Sequence, residues 1–158
     1  MDTIAHLLWT YLIFIKDKYW KYALVFAVFP DVPLLSYIVY NFFTTGVFSL
    51  FVNCPPFIYF LEQVTHSLIF SLIVVLILFL FFRKKVLFLL AWPIHIVVDI
   101  FTHARGEYAT SFLFPFSEYT FNGLDWKNTY FLIINYVLFL IVYFIVVENV
   151  RRNKNIKK

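Results

Sequence analysis

The sequence predicts an all-α, polytopic membrane bundle of about five helices, with a broken second helix. Three observations carry this. Hydrophobic residues make up 63% of the 158 positions and charged residues 14%, where a soluble domain has roughly 45–50% apolar content. The apolar residues fall in runs long enough to cross a bilayer. Within the second run, Phe29-Pro30-Asp31-Val32-Pro33 places two prolines close together, which removes backbone donors and breaks or kinks a helix. Residues 1–150 read as one transmembrane domain and 151–158 as a basic cytoplasmic tail.

Ile4 to Ile15 is apolar except for His6 and Thr10, and the positive charges Lys16, Lys18 and Lys21 follow it. A cleaved signal would carry its charges first and end in small residues, so a short retained helix is expected, its N-terminus outside. Tyr22 to Phe43 can span, with Asp31 at the break. That residue serves either as the N-cap of the second half or as a group facing a cavity, where freed backbone is tolerated. Asn41 to Pro56 carries Asn, Gly and Pro-Pro and reads as a loop. Phe57 to Phe82 reads as one apolar helix, polar only at Glu62, Gln63, Thr65 and His66 near its start, and ended by Arg83-Lys84-Lys85. Val86 to His103 is the next helix, kinked at Pro93. Gly106 to Asn128 is a polar-aromatic connection, Thr129 to Val147 is the cleanest span, and Arg151 to Lys158 is a disordered tail.

Orientation follows from the positive charges. All 13 Lys and Arg except Arg105 and Lys127 fall on one side of this arrangement, which makes that side, and the C-terminus, cytoplasmic. The same bias accounts for the net charge of +4. No basic stripe interleaved with aromatics lies outside the spans, so no nucleic-acid partner is expected. Cys54 is the sole cysteine, which rules out a disulfide within the chain and a Cys-x-x-Cys motif. The three glycines, Gly46, Gly106 and Gly123, form neither a phosphate loop nor a nucleophile elbow.

The stretch from Trp92 to Gly106 stands apart. His95, Asp99 and His103 are spaced by four and form one stripe on an apolar helix. An aspartate in a hydrophobic span is costly unless it is paired or bound to a cation; the plain alternative is an Asp99 held by a histidine for packing specificity. Counting about 1.5 Å per residue from the basic loops puts His6, Asp31 and His95 at about 15 Å, Asp99 at about 21 Å, His66 at about 25 Å and His103 at about 27 Å. All four histidines of the chain thus come to depths adjacent to two aspartates. Imidazole with carboxylate suits a divalent ion, zinc first, with manganese or iron as alternatives. Metal–ligand bonds are about 2.0–2.2 Å, so groups separated by roughly 10 Å of depth do not share one ion, and two ions bridged by Asp99 fit the layering better. The metal candidates are His6, Asp31, His66, His95, Asp99 and His103. The catalytic candidates are Asp99 and Glu62. Glu62, one turn before His66, either orients that ring, acts as a base or stands as an interfacial carboxylate on the rim.

These residues resemble those of the LexA-regulated, inner-membrane-bound metal-dependent hydrolases. The matching pieces are the early His6, Pro30-Asp31 at the end of an apolar helix, Thr65-His66-Ser67, His95-x-x-x-Asp99-x-x-Thr102 and Leu113-Phe114-Pro115. They cover most of the chain, and Phe121-x-Gly123-x-x-Trp126 together with His103 resembles a compact subgroup. Many members carry His-Arg-Gly ahead of Thr-His-Ser and a double aspartate after the first proline. Here those positions read Glu62-Gln63-Val64 and Asp31-Val32-Pro33, and the missing arginine counts against a phosphate-bearing substrate. The resemblance implies a hydrolase in the cytoplasmic membrane of a prokaryote.

The expected function is therefore a membrane-bound, metal-dependent hydrolase with its site in the outer half of the bilayer. Its substrate is lipid-like or enters laterally from membrane lipid, a phospholipid or lipid-linked phosphoester included. Two other readings use the same residues. One is a b-type haem protein with His66 and His95, or His6 and His95, as axial ligands, against which Asp31 and Asp99 argue. The other is a metal or proton transporter.

Overall fold

The computed structural model describes residues 1–47, 54–106 and 109–156, and among them no strand occurs. The elements are α1 (Thr3–Phe14), α2 (Trp20–Val28), a 3-10 turn at Phe29–Asp31, α3 (Val32–Thr45), α4 (Pro56–Thr65), α5 (Leu68–Phe82), a 3-10 stretch at Arg83–Leu90, α6 (Ala91–Thr102) and α7 (Thr129–Ile156). Trp20–Thr45, Lys85–Thr102 and Thr129–Val150 are long and apolar enough to cross a membrane, and α4 with α5 makes a fourth span if the bent pair counts as one. Leu72, Ile73, Leu76 and Ile77 on α5 and Ile133, Ile134, Val137 and Leu138 on α7 are exposed. Contiguous apolar faces of this kind are not left to water in soluble monomers, but lipid tails solvate them.

The break at Pro30 is a single 3-10 turn. Asp31 occupies the N-cap position of α3, yet its side chain makes no capping hydrogen bond, so the carboxylate is left for other partners. Ala27 lies in the last turn of α2, where carbonyls lose their α-helical donors, and its oxygen turns to the α6 histidine described below.

Two expectations are corrected at the next spans. The apolar run from Phe57 to Phe82 is two helices, bent by 57° at His66-Ser67. Three hydrogen bonds hold this break. Ser67 caps α5 by accepting from the Phe70 N–H at 3.1 Å and donates to the Phe114 carbonyl at 2.6 Å; Thr65 Oγ1 donates to the Pro30 carbonyl at 2.9 Å. Trp92 Nε1 also reaches the Thr65 carbonyl at 2.7 Å. The break in α4–α5 is thereby tied to the break in α2–α3. Pro93 does not kink a helix that begins at Val86, because residues 83–90 are 3-10 and α6 starts at Ala91. Pro93 thus falls in the first turn, where a missing N–H removes no hydrogen bond.

Helix ends also differ from the reading. α3 runs through Thr45 to Gly46, whose φ of 72° gives a left-handed cap that a glycine adopts without strain. The first part of the expected Asn41–Pro56 loop is therefore helical, and residues 48–53 of it lie outside the described residues. α7 continues through the basic tail to Ile156, since no Gly or Pro interrupts it and Arg152 pairs with Glu148 one turn earlier. Lys157 and Lys158 lie outside the described residues.

The connection after α6 closes the end of the bundle at which α6 stops. Gly123, Leu124 and Trp126 donate their backbone N–H groups to the carbonyls of His103, Phe101 and Thr102 at 2.8–3.0 Å, which satisfies acceptors a helix end leaves open. A Cβ at Gly123 would lie 2.5 Å from the Phe101 carbonyl carbon and oxygen. Only glycine permits this approach.

Candidate metal centre

Four side chains from three spans converge on one point. Asp31 comes from the 3-10 turn, His66 from the α4–α5 break, and His95 and Asp99 from successive turns of α6. One ligand atom from each lies within 4.8 Å of the others, so the group could hold a metal ion. His95 Nε2 is 3.0 Å from Asp99 Oδ2 and 3.4 Å from Asp31 Oδ1; His66 Nε2 is 3.5 Å from Asp31 Oδ1 and 3.6 Å from Asp99 Oδ2. His66, His95 and Asp99 are buried and Asp31 is partly exposed.

The rings are oriented from behind. His95 Nδ1 is 2.7 Å from the Ala27 carbonyl, an acceptor only, so Nδ1 carries the proton and a neutral His95 presents a lone pair at Nε2. That Nε2 is buried without a hydrogen-bond partner among the described residues. His66 Nδ1 is likewise 3.1 Å from the Glu62 carbonyl and 2.9 Å from Glu62 Oε1, which directs its Nε2 inward. A ligand histidine held through its second nitrogen by a carbonyl or carboxylate is the usual outer support of a metal site. Asp31 is oriented too, by Thr3 Oγ1 donating to Oδ2 at 2.5 Å.

His6 and His103 stand beside this group, on the other oxygen of Asp99. His6 Nε2 is 2.8 Å from Asp99 Oδ1, so it donates to the carboxylate, and its ring stacks on His95 with centroids 3.7 Å apart. His103 Nε2 is 3.6 Å from the same oxygen and 3.0 Å from the Met1 ammonium, which itself pairs with Asp99. Its Nδ1 is 3.1 Å from Thr110 Oγ1. Asp99 thus faces two sets of groups, but the layered depths do not carry over. His66 reaches the level of Asp31 and His95 because the span that carries it bends.

No family model, curated protein or solved structure matches the chain.

Beside the four ligand atoms lies a cavity of about 250 Å³, bounded by Asp31, His66 and His103, by Glu62 and Gln63 on α4, and by Leu34, Leu35 and Ile38 on α3. Glu62 Oε2 is buried and has no hydrogen-bond partner among the described residues. Thr3 and Thr110 escaped the sequence reading. Thr3 carried a signal, being three residues before His6 and therefore on its face of α1; Thr110 sits in the connection, where no periodicity marks it.

Proposed function

We propose that this chain is a membrane-bound, metal-dependent hydrolase whose ion is held by Asp31, His66, His95 and Asp99. The observation that carries the reading is the convergence of two carboxylates and two inward-facing imidazole nitrogens within 4.8 Å, inside an otherwise apolar bundle. Unpaired carboxylates there would be costly, whereas two of them balance one divalent cation. The donor set suits zinc, and manganese or iron as well. Such an ion, when bound, supplies Lewis acidity and raises the acidity of water.

The rest of the chemistry falls to the protein. His6 and Thr3 hold the two carboxylates in place through the hydrogen bonds given above. Glu62 orients His66 with one oxygen, and its partnerless Oε2 accepts a proton from water. Asp99 carries charge for the ion and is the second catalytic candidate. A bis-histidine haem is disfavoured because the His6 and His95 rings are stacked and the His66 and His95 centroids are 5.4 Å apart, with no room for a macrocycle between either pair. We read the C-terminus as cytoplasmic on the division of positive charge, and the cytoplasmic membrane of a prokaryote as the location that the resemblance implies.

Elemental analysis of the detergent-purified protein tests the core of this. The parent should carry about one divalent ion per chain, and Asp99→Asn and His95→Gln, measured on folded material, should lose most of it. Full metal content in both variants would overturn the reading.

A further inference from the structure

The cavity beside the candidate centre is lined by two unlike sets of groups, the polar Asp31, Glu62, Gln63 and His66 and the apolar Leu34, Leu35, Ile38 and Tyr59. Leu35 and Tyr59 are exposed at 38% and 50%, on α3 and α4, helices read as lying among lipid tails. The apolar lining on α3 and α4 is therefore the side from which a lipid would enter.

Charge in the polar lining is one-sided. Asp2, Asp31 and Glu62 line the cavity, and among the described residues no Lys or Arg side chain does. The Met1 ammonium at its wall is paired with Asp99. With a divalent ion and the Met1 ammonium set against Asp31, Asp99, Asp2 and Glu62, one negative charge is left in excess, which repels an anionic headgroup in a medium that screens charge poorly. Gln63, Thr110 and Ser111 line the cavity as well, and their neutral donors and acceptors suit hydroxyl, ester or amide groups.

Resting on the hydrolase reading, we propose that the substrate class is an uncharged acyl ester or amide with a single apolar chain, taken laterally from the bilayer between α3 and α4, and not a phosphoester. The reaction is hydrolysis: water oxygen bonds to the acyl carbon, the carbon–oxygen or carbon–nitrogen bond breaks, and the proton released by water passes through Glu62 to the departing alcohol or amine. The product is a carboxylic acid; once it ionises by giving its proton to water, its negative charge is disfavoured in the same cavity, which promotes release.

The test uses two probes with the same diazirine-bearing acyl chain, a monoacylglycerol and the corresponding lysophosphatidate, added to the protein in nanodiscs with and without zinc. Photolysis should attach the monoacylglycerol to peptides containing residues 34–38 and 59, at least tenfold more than the lysophosphatidate. Ile38→Trp, which fills the apolar side, should abolish this labelling while leaving bound metal unchanged. With zinc loaded, the unmodified monoacylglycerol should be cleaved, and His95→Gln should stop cleavage. Equal or stronger labelling by lysophosphatidate, or labelling spread over α5 and α7 and unaffected by Ile38→Trp, would overturn the proposal while leaving the metal reading intact. Loss of the metal reading shows separately, as absence of bound ion with labelling preserved.

Discussion

An imidazole nitrogen either donates a proton or offers a lone pair, and this division sorts three of the four histidines; the fourth, His103, turns Nε2 to the Met1 ammonium at 3.0 Å and stands outside the group of four ligand atoms. His95 and His66 donate through Nδ1 to carbonyl groups and turn Nε2 inward, whereas His6 donates Nε2 to Asp99. His103→Gln should therefore keep the metal content of the parent, while His66→Gln should lower it as His95→Gln does; elemental analysis of the folded protein checks both. Thr3 is the sharper case, because its hydroxyl donates to Asp31 Oδ2 and it is not one of the four residues that could hold the ion. Thr3→Val should weaken metal affinity by roughly tenfold to a hundredfold, the usual effect of losing an outer hydrogen bond to a ligand, measured by competition with a chelating dye. Unchanged affinity would make that hydrogen bond incidental. The spacing of His95, Asp99 and His103 made the stripe legible in the sequence. What it could not show is which nitrogen each ring turns inward, since that depends on the Ala27 and Glu62 carbonyls of other turns.

Helix breaks do more than helices to build this centre. Asp31 and His66 both lie where a span is interrupted, and the interruptions are joined through Thr65 and Pro30. The first break was legible because proline lacks a donor. The second was hidden, since the apolar run from Leu68 to Phe82 says nothing about backbone direction and only Thr65-His66-Ser67 marks the 57° bend. Depth counted along one straight axis accordingly misplaced His66, and the 3-10 stretch at Arg83–Leu90, rising about 2.0 Å per residue, shifts α6 further toward it. Ser67→Ala removes a cap and leaves the Phe114 carbonyl without its donor. A loss of about 1–3 kcal/mol is expected, read as a lower midpoint in thermal unfolding. Gly123→Ala should cost a similar ~1–3 kcal/mol, since its Cβ drives into the Phe101 backbone at the end of the helix that carries both His95 and Asp99. Equal midpoints for Gly123→Ala and the parent would mean that the connection does not pack on α6 in this way.

At the scale of the whole molecule, one arrangement must satisfy the spans and the charges together. Thr129–Val150 is long and apolar enough to cross a membrane, and only 6% of its apolar window is buried inside the bundle, which leaves most of its surface free for lipid tails. Two polar contacts fix it at α1: Trp9 Nε1 donates to Asn135 Oδ1 at 3.0 Å, and the Tyr136 hydroxyl donates to Asp2 at 2.8 Å. Asn135, which interrupts the apolar run from Tyr130 to Val147, is thus the anchor point of that span. These contacts lie at the end of α7 near the Gly106–Asn128 connection, and the basic residues Arg151 and Arg152 lie at the other end. Since Lys and Arg are retained on the cytoplasmic side, the connection and the cavity beside it should face outward, and the Arg83–Leu90 stretch inward. In a Cys54→Ser background, an impermeant maleimide applied to intact cells should label Ser117→Cys and spare Lys85→Cys, and permeabilisation should make both reactive. Labelling of Lys85→Cys alone in intact cells would invert the orientation and put the metal centre in the inner half of the bilayer. It would leave the ligand geometry untouched, because none of the four side chains depends on which side of the membrane the connection occupies.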